Sequence, residues 1–213
     1  MGIKVQLPNY SLKVKAKTLL NNVELNFEPG TISHILGKNG VGKSQLAKDL
    51  LLNSSGLIPK EVSSNLTVIS SFSNVPEDIS TNTLIRLLAR QYEMTSINRL
   101  ISLLNMENLP RTIQIKNLSD GQKQKIKIMT FFLEDKNIII LDEITNSLDK
   151  GTVIEIHNFL NHYIDNNKHK TIINITHNLS DLNNIKGHYY LFSEKKLLEY
   201  ENLDIILKKY IEE

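Results

Sequence analysis

Gly37-Lys38-Asn39-Gly40-Val41-Gly42-Lys43-Ser44 is the stretch on which the reading of this chain turns. It matches the pattern G-x-x-x-x-G-K-[ST] of a phosphate-binding loop. A short apolar run, Ile32–Leu36, precedes it, and a helical pattern follows from Lys43 to Leu52. The loop therefore stands between a strand and a helix, where such a loop works. Glycines admit positive φ and let backbone N–H groups close around phosphate oxygens. The start of the helix adds a favourable dipole. Lys43 is placed to reach the β- and γ-phosphates, and the Ser44 hydroxyl to ligate Mg2+.

Downstream, Ile138-Ile139-Ile140-Leu141-Asp142-Glu143 is an apolar run that ends in two carboxylates. A strand with no polar alternation is central in a parallel sheet, buried on both faces. At its C-terminal end Asp142 can hold Mg2+, and Glu143 can orient and deprotonate an attacking water. An acid after a strand is more often a solvated end or a helix cap. In one chain with a phosphate loop the catalytic reading gains the upper hand.

The remaining pattern alternates strands and helices. Ile3–Leu7, Val23–Phe27, Leu66–Ser70, Thr171–Ile175, Tyr189–Phe192 and Lys196–Tyr200 read as strands. Helical patterns lie at Thr83–Tyr92, Ser96–Leu104, Asp120–Glu134, Gly151–Tyr163 and Leu203–Ile211. Ser71–Asn82 is a polar loop. This order predicts an α/β fold, a largely parallel sheet with helices on both faces. Residues 83–117 are helical only and form a small lobe within a single unit spanning 1–213.

Composition narrows the function. The chain has 213 residues, 40% hydrophobic, and no cysteine, which excludes disulfides, thiolate catalysis and thiolate-bound zinc. A formal net charge of +2 is too near neutral to argue for nucleic acid. No apolar run approaches the roughly 20 residues that span a bilayer.

Between the phosphate loop and the acidic strand stands Leu118-Ser119-Asp120-Gly121-Gln122. It resembles the L-S-G-G-Q signature of ATP-binding cassette (ABC) ATPases, with Asp at the third position. After Glu143, Ile144-Thr145-Asn146-Ser147-Leu148-Asp149 is similar to that family's D-loop. Ile175-Thr176-His177 resembles its switch histidine at the end of the next strand. These motifs occur in the family's order over about Val23 to Phe192.

The resemblance implies a P-loop NTPase core with a mostly parallel sheet, an antiparallel β subdomain and a small helical lobe. It implies ATP and Mg2+ as ligands, with Lys43, Glu143 and His177 catalytic, Ser44 and Asp142 on the metal, and Asp149 in the D-loop. The signature residues Leu118, Ser119, Asp120, Gly121 and Gln122 would act in trans on a second subunit, in a homodimer. A separate integral membrane transporter subunit would be the partner, with the chain on the cytoplasmic face of the membrane and no nucleic acid bound. Export, of peptides among other cargoes, suits a compact single cassette. The alternative is a soluble ABC ATPase of assembly or ribosomal processes. A nucleotide-binding subunit without hydrolysis is disfavoured by Glu143 and His177.

The chain departs from the family pattern in places. No glutamine occurs in Ile69–Ser80, where the family carries one that contacts Mg2+; Ser71, Ser73 or Asn74 stands in. Either Tyr10 stacks on adenine, or Val14 and its neighbours give only apolar packing to the base. Ile144 replaces a proline. The stretch from Ser44 to Leu118 is short, so the helical lobe is reduced.

Overall fold

A computed structural model describes residues 2–212; the end residues of the 1–213 unit lie outside the described residues. Its centre is a six-stranded sheet in the order β4-β5-β6-β3-β7-β8. The strands are β3 (Ile32–Leu36), β4 (Leu66–Ile69), β5 (Ile138–Asp142), β6 (Thr171–Thr176), β7 (His188–Ser193) and β8 (Lys196–Tyr200). All neighbours pair in parallel except β7 with β8, which form a hairpin. β1 (Val5–Val14) and β2 (Lys17–Phe27) make a separate antiparallel pair.

The central strands are buried on both faces, and their alternate residues belong to two different cores. Ile139, Leu141 and Ile172 face a core shared with α4 (Met94–Leu103), α5 (Asp120–Phe132) and α6 (Lys150–Asn166). Ile138, Ile140, Ile173 and Ile175 face another, shared with the β1–β2 hairpin and α1 (Lys43–Leu52). The hairpin thus caps one face of the sheet and the helices cap the other.

The short helical segment consists of α3 (Thr81–Leu88), started by the Ser80 side chain on the Thr83 N–H, and α4. Val75, Leu84, Ile97 and Leu100 join it to the first core. Among the described residues the other α-helices are α2 (Lys60–Ser64), α7 (Leu179–Asn184) and α8 (Leu203–Glu212), with a short 3-10 turn at Ile115–Asn117.

The hairpin is longer than the sequence pattern suggests. Ile3–Leu7 and Val23–Phe27 mark only its ends, since β1 continues to Val14 and β2 begins at Lys17. Its pairing slips after Leu7, after Tyr10 and after Leu12, and Asn9 takes φ 54°. Each slip breaks the two-residue alternation by which a strand is read.

Candidate nucleotide site

β3 runs straight into the phosphate loop. Gly42, the residue before α1, has φ 123°, and a Cβ there would lie 2.9 Å from Leu19 Cδ1. The backbone angle is what requires glycine here, and the Leu19 side chain would also have to shift for any Cβ. Lys43 is buried, and its Nζ donates to the carbonyls of Gly37 (2.6 Å) and Lys38 (3.1 Å). Burial pulls this ammonium down from its ordinary pKa, against the nearby charges of Glu143 and Asp142.

The acids come from β5, two strands away, and His177 follows β6, the strand between. All three chain segments leave the sheet at its C-terminal edge, where parallel α/β sheets bind ligands. Glu143 has φ 57°, an uncommon conformation for a residue with a side chain. Its N–H donates to the Ile175 carbonyl at 2.9 Å, which ties the turn to β6. Glu143 Oε1 lies 3.0 Å from His177 Nδ1, and Oε2 accepts from Asn146 Nδ2 at 2.9 Å. The two side chains of the His–Glu pair remain 36% and 32% exposed.

Asp142 is buried, and its Oδ1 has no hydrogen-bond partner. Burial pushes its carboxyl up, while the Ser44 hydroxyl pulls the other way. Ser44, Asp142 and Glu143 line one cavity of about 260 Å³ with Ser70, Ser71 and Gln124 among others. A buried carboxylate oxygen without a partner, beside a hydroxyl, suits a divalent cation with oxygen ligands.

The signature residues lie apart from this cavity, at the start of α5. Ser119 Oγ accepts from the Gln122 N–H at 3.3 Å, and Gln122 Oε1 accepts from the Ser119 N–H at 3.0 Å. This reciprocal cap leaves Ser119 and Asp120 exposed, with Leu118 buried beneath. A Cβ on Gly121 would stand 2.5 Å from Thr152 Oγ1. Thr152 in turn donates from N (3.0 Å) and Oγ1 (2.7 Å) to Asp149, which caps α6.

Tyr10 corrects an expectation. Its ring is 1% exposed, so no base can stack on it. Its hydroxyl donates to Asp49 Oδ2 at 2.7 Å, and Asp49 also accepts from the N–H and Oγ of Ser55. Burial, and then the bond to Asp49, push the phenol pKa up. Tyr10 therefore pins the hairpin to α1 rather than meeting a nucleotide. Of the three stand-ins for the missing glutamine, only Ser71 lines the cavity. Ser73 is occupied locally, donating to the Val68 carbonyl at 2.7 Å and accepting from the Ser70 N–H. In the same loop Val75 packs into the core, while Phe72 is 65% exposed with Lys48 Nζ 4.0 Å from its ring centre.

Several residues that shape the site carry no motif. Asp181 is buried and accepts from Thr176 Oγ1 (2.7 Å), Thr145 Oγ1 (2.9 Å) and His157 Nε2 (2.8 Å). Burial pushes its pKa up, but these hydrogen bonds outweigh that and hold it below its ordinary value. The signal for His157 was a polar residue on the buried stripe of α6, among Val153, Ile156 and Leu160. Asn146, which holds Glu143, lay inside the D-loop stretch already quoted.

The family model described as ABC transporter matches residues 20–146. The chain belongs to this family. ABC ATP-binding chains bind ATP and couple its hydrolysis to transport, and they work with membrane transporter subunits. The chain is 54% identical over 98% of its length to the probable peptide export ATP-binding protein YydI of Bacillus subtilis, covering 100% of that protein. It is 28% identical to the energy-coupling factor transporter ATP-binding protein EcfA1 of Thermotoga maritima, over 86% of this chain and 76% of that one. Among solved structures it resembles cbiO1 from Clostridium perfringens, part of the ABC transporter complex cbiONQ. That likeness has a TM-score of 0.77 and 19% identity, over 97% of this chain and 91% of the other. The ABC fold is thus matched along nearly the whole chain. Among the described residues no helix is long and apolar enough to cross a membrane.

Proposed function

We propose that this chain drives peptide export as the ATP-hydrolysing half of a transporter whose membrane-spanning part is a separate subunit. It would act from the cytoplasmic face. The observation that carries the ATPase chemistry is the Glu143 carboxylate, bonded on one oxygen to His177 and on the other to Asn146. The peptide cargo rests on the likeness to YydI.

In this reading the backbone of Gly37–Gly42 cradles the phosphates and Lys43 Nζ leaves its carbonyls to meet them. Ser44 and Asp142 would hold Mg2+, which would supply positive charge against the phosphate oxygens. Glu143 orients a water and takes its proton. His177 and Asn146 hold the two oxygens of the carboxylate, which stays partly open to solvent. Ser119 and the N–H groups at the start of α5 face the nucleotide of a second copy, since the exposed capped end of a helix favours an anion.

Two tests address this. Lys43→Ala and Ser119→Arg subunits, each inactive alone, should regain partial turnover when mixed, because one composite site keeps both faces. No recovery with well-folded subunits would contradict the dimer. Membrane vesicles holding the co-purified subunits should move peptide with the parent chain and not with Glu143→Gln. Equal movement with both would overturn the export reading.

A further inference from the structure

The cavity at Ser44, Asp142 and Glu143 has a wall that none of the motifs supplies. It comes from α5, whose Gln124 and Lys127 lie one turn apart and both line the space. Among the described residues lining this cavity, Lys127 is the cation. Asp142 and Glu143 line the same cavity, but the carboxylate whose charge reaches Lys127 is Glu77, in the loop after β4. Lys127 makes no salt bridge among the described residues, and its Nζ donates to the Ser70 carbonyl at 3.3 Å.

Lys125, two residues earlier on α5, is paired with Glu155 on α6. Lys127 is half-buried, and burial draws its pKa down against the nearby charge of Glu77. A half-buried ammonium with a single neutral acceptor keeps donors to spend, and a phosphate oxygen is a strong acceptor for them. The cavity is where such an oxygen would arrive. The phosphate loop closes on the nucleotide at the start of α1, and Ser44 and Glu143 mark the side of the terminal phosphate.

We infer that Lys127 is a further nucleotide-binding residue, a cation on α5 that recognises the terminal phosphate of ATP from across the cavity. The inference rests on the nucleotide-site reading above. It also assigns a role to the loop after β4. With no glutamine there, the loop enters the site through the Ser70 carbonyl, which steadies Lys127. Lys127 follows Ser119 by eight residues on one helix, a rise of about 12 Å. The terminal phosphate held by Lys127 would thus bear on the same rod that presents the signature to a partner.

ADP lacks the phosphate that Lys127 would hold, so the two nucleotides separate a binding role from a folding role. Affinities for ATP and for ADP are measured by equilibrium titration, in a Glu143→Gln background that prevents turnover. Lys127→Met should weaken ATP about tenfold, the cost of a lost hydrogen bond to a charged group, and leave ADP within about twofold. Lys127→Arg should restore most of the ATP affinity. Equal weakening of both nucleotides would mean that Lys127 only supports the fold, and unchanged ATP affinity would mean no contact; either overturns the inference. If the Glu143→Gln background bound neither nucleotide, the nucleotide-site reading itself would fall, and this inference with it.

Discussion

Two histidine–carboxylate pairs lie around the end of β6, and they are built for opposite purposes. His157 and Asp181 are 2.8 Å apart and 3% and 1% exposed. Asp181 is saturated, with Thr145 and Thr176 as further donors. His177 and Glu143 are 3.0 Å apart, but about a third of each remains open to solvent. Glu143 also sits at an uncommon backbone angle. The chemistry of the pair is the same; burial decides what it does. A saturated pair locks Thr145 of the D-loop stretch and Thr176 beside the switch histidine into one place. In the proposed mechanism the open pair keeps a lone pair for a water. The difference teaches that burial and the number of donors, rather than residue type, set such a pair apart as structural or as open.

The sharpest way to break this contrast is Glu143→Gln. Turnover should fall about a thousandfold, the usual range for a lost general base. ATP binding should persist, and thermal stability should stay within about 1 kcal/mol, since the residue is partly exposed. Steady-state hydrolysis and nucleotide titration read the two parts separately. Unchanged hydrolysis would remove Glu143 from the chemistry.

Asp181→Ala should do the reverse. Removing the buried acceptor strands His157, Thr145 and Thr176, at a cost of about 3–5 kcal/mol. Denaturant unfolding measures this. A loss below about 1 kcal/mol would show that the buried network is not a structural lock.

A third histidine extends the comparison to pH. His34 is fully buried, with Nε2 3.0 Å from the Ile185 carbonyl and Nδ1 3.2 Å from Asn174 Nδ2. Burial lowers its pKa from 6.5 to about 4. Between those values the unfolded chain binds the proton and the folded chain does not, so folding free energy is full above pH 6.5 and falls towards pH 4. The loss is roughly 3 kcal/mol. Asp181 acts in the same direction at lower pH, because its depressed carboxyl stabilises the fold above its ordinary pKa and loses this as the group protonates. Unfolding curves at stepped pH should show a smaller slope over pH 4–6.5 in His34→Gln.

The smallest expected effect is at Asp149. Asp149→Ala removes the α6 cap at Thr152 and should lower the Tm slightly. A Tm unchanged by this substitution would show that the cap is redundant.

Legibility in the sequence followed sequence separation and regularity. Ile138–Leu141 and Thr171–Ile175 announced central strands because both faces are buried, so the apolar run is unbroken. The phosphate loop and the capped start of α5 were readable because their partners lie within a few residues. The hairpin between residues 8 and 22 was not, because its bulges scramble the alternation. The α2 and α7 helices span five and six residues, less than two turns, too few to show a period. Tyr10 was misread because its partner, Asp49, lies 39 residues away. The Asp181 network hid for the same reason, with Thr145 separated from it by 36 residues.

The contact of Gly121 with Thr152 has a consequence for how two subunits would grip each other. Thr152 is bound to Asp149 and packed where a side chain on Gly121 would stand. The signature turn and the end of the D-loop are therefore packed directly against each other. A partner subunit touching either one would move both, so opening at one nucleotide should be felt as a hinge motion at the other rather than as the melting of a loop.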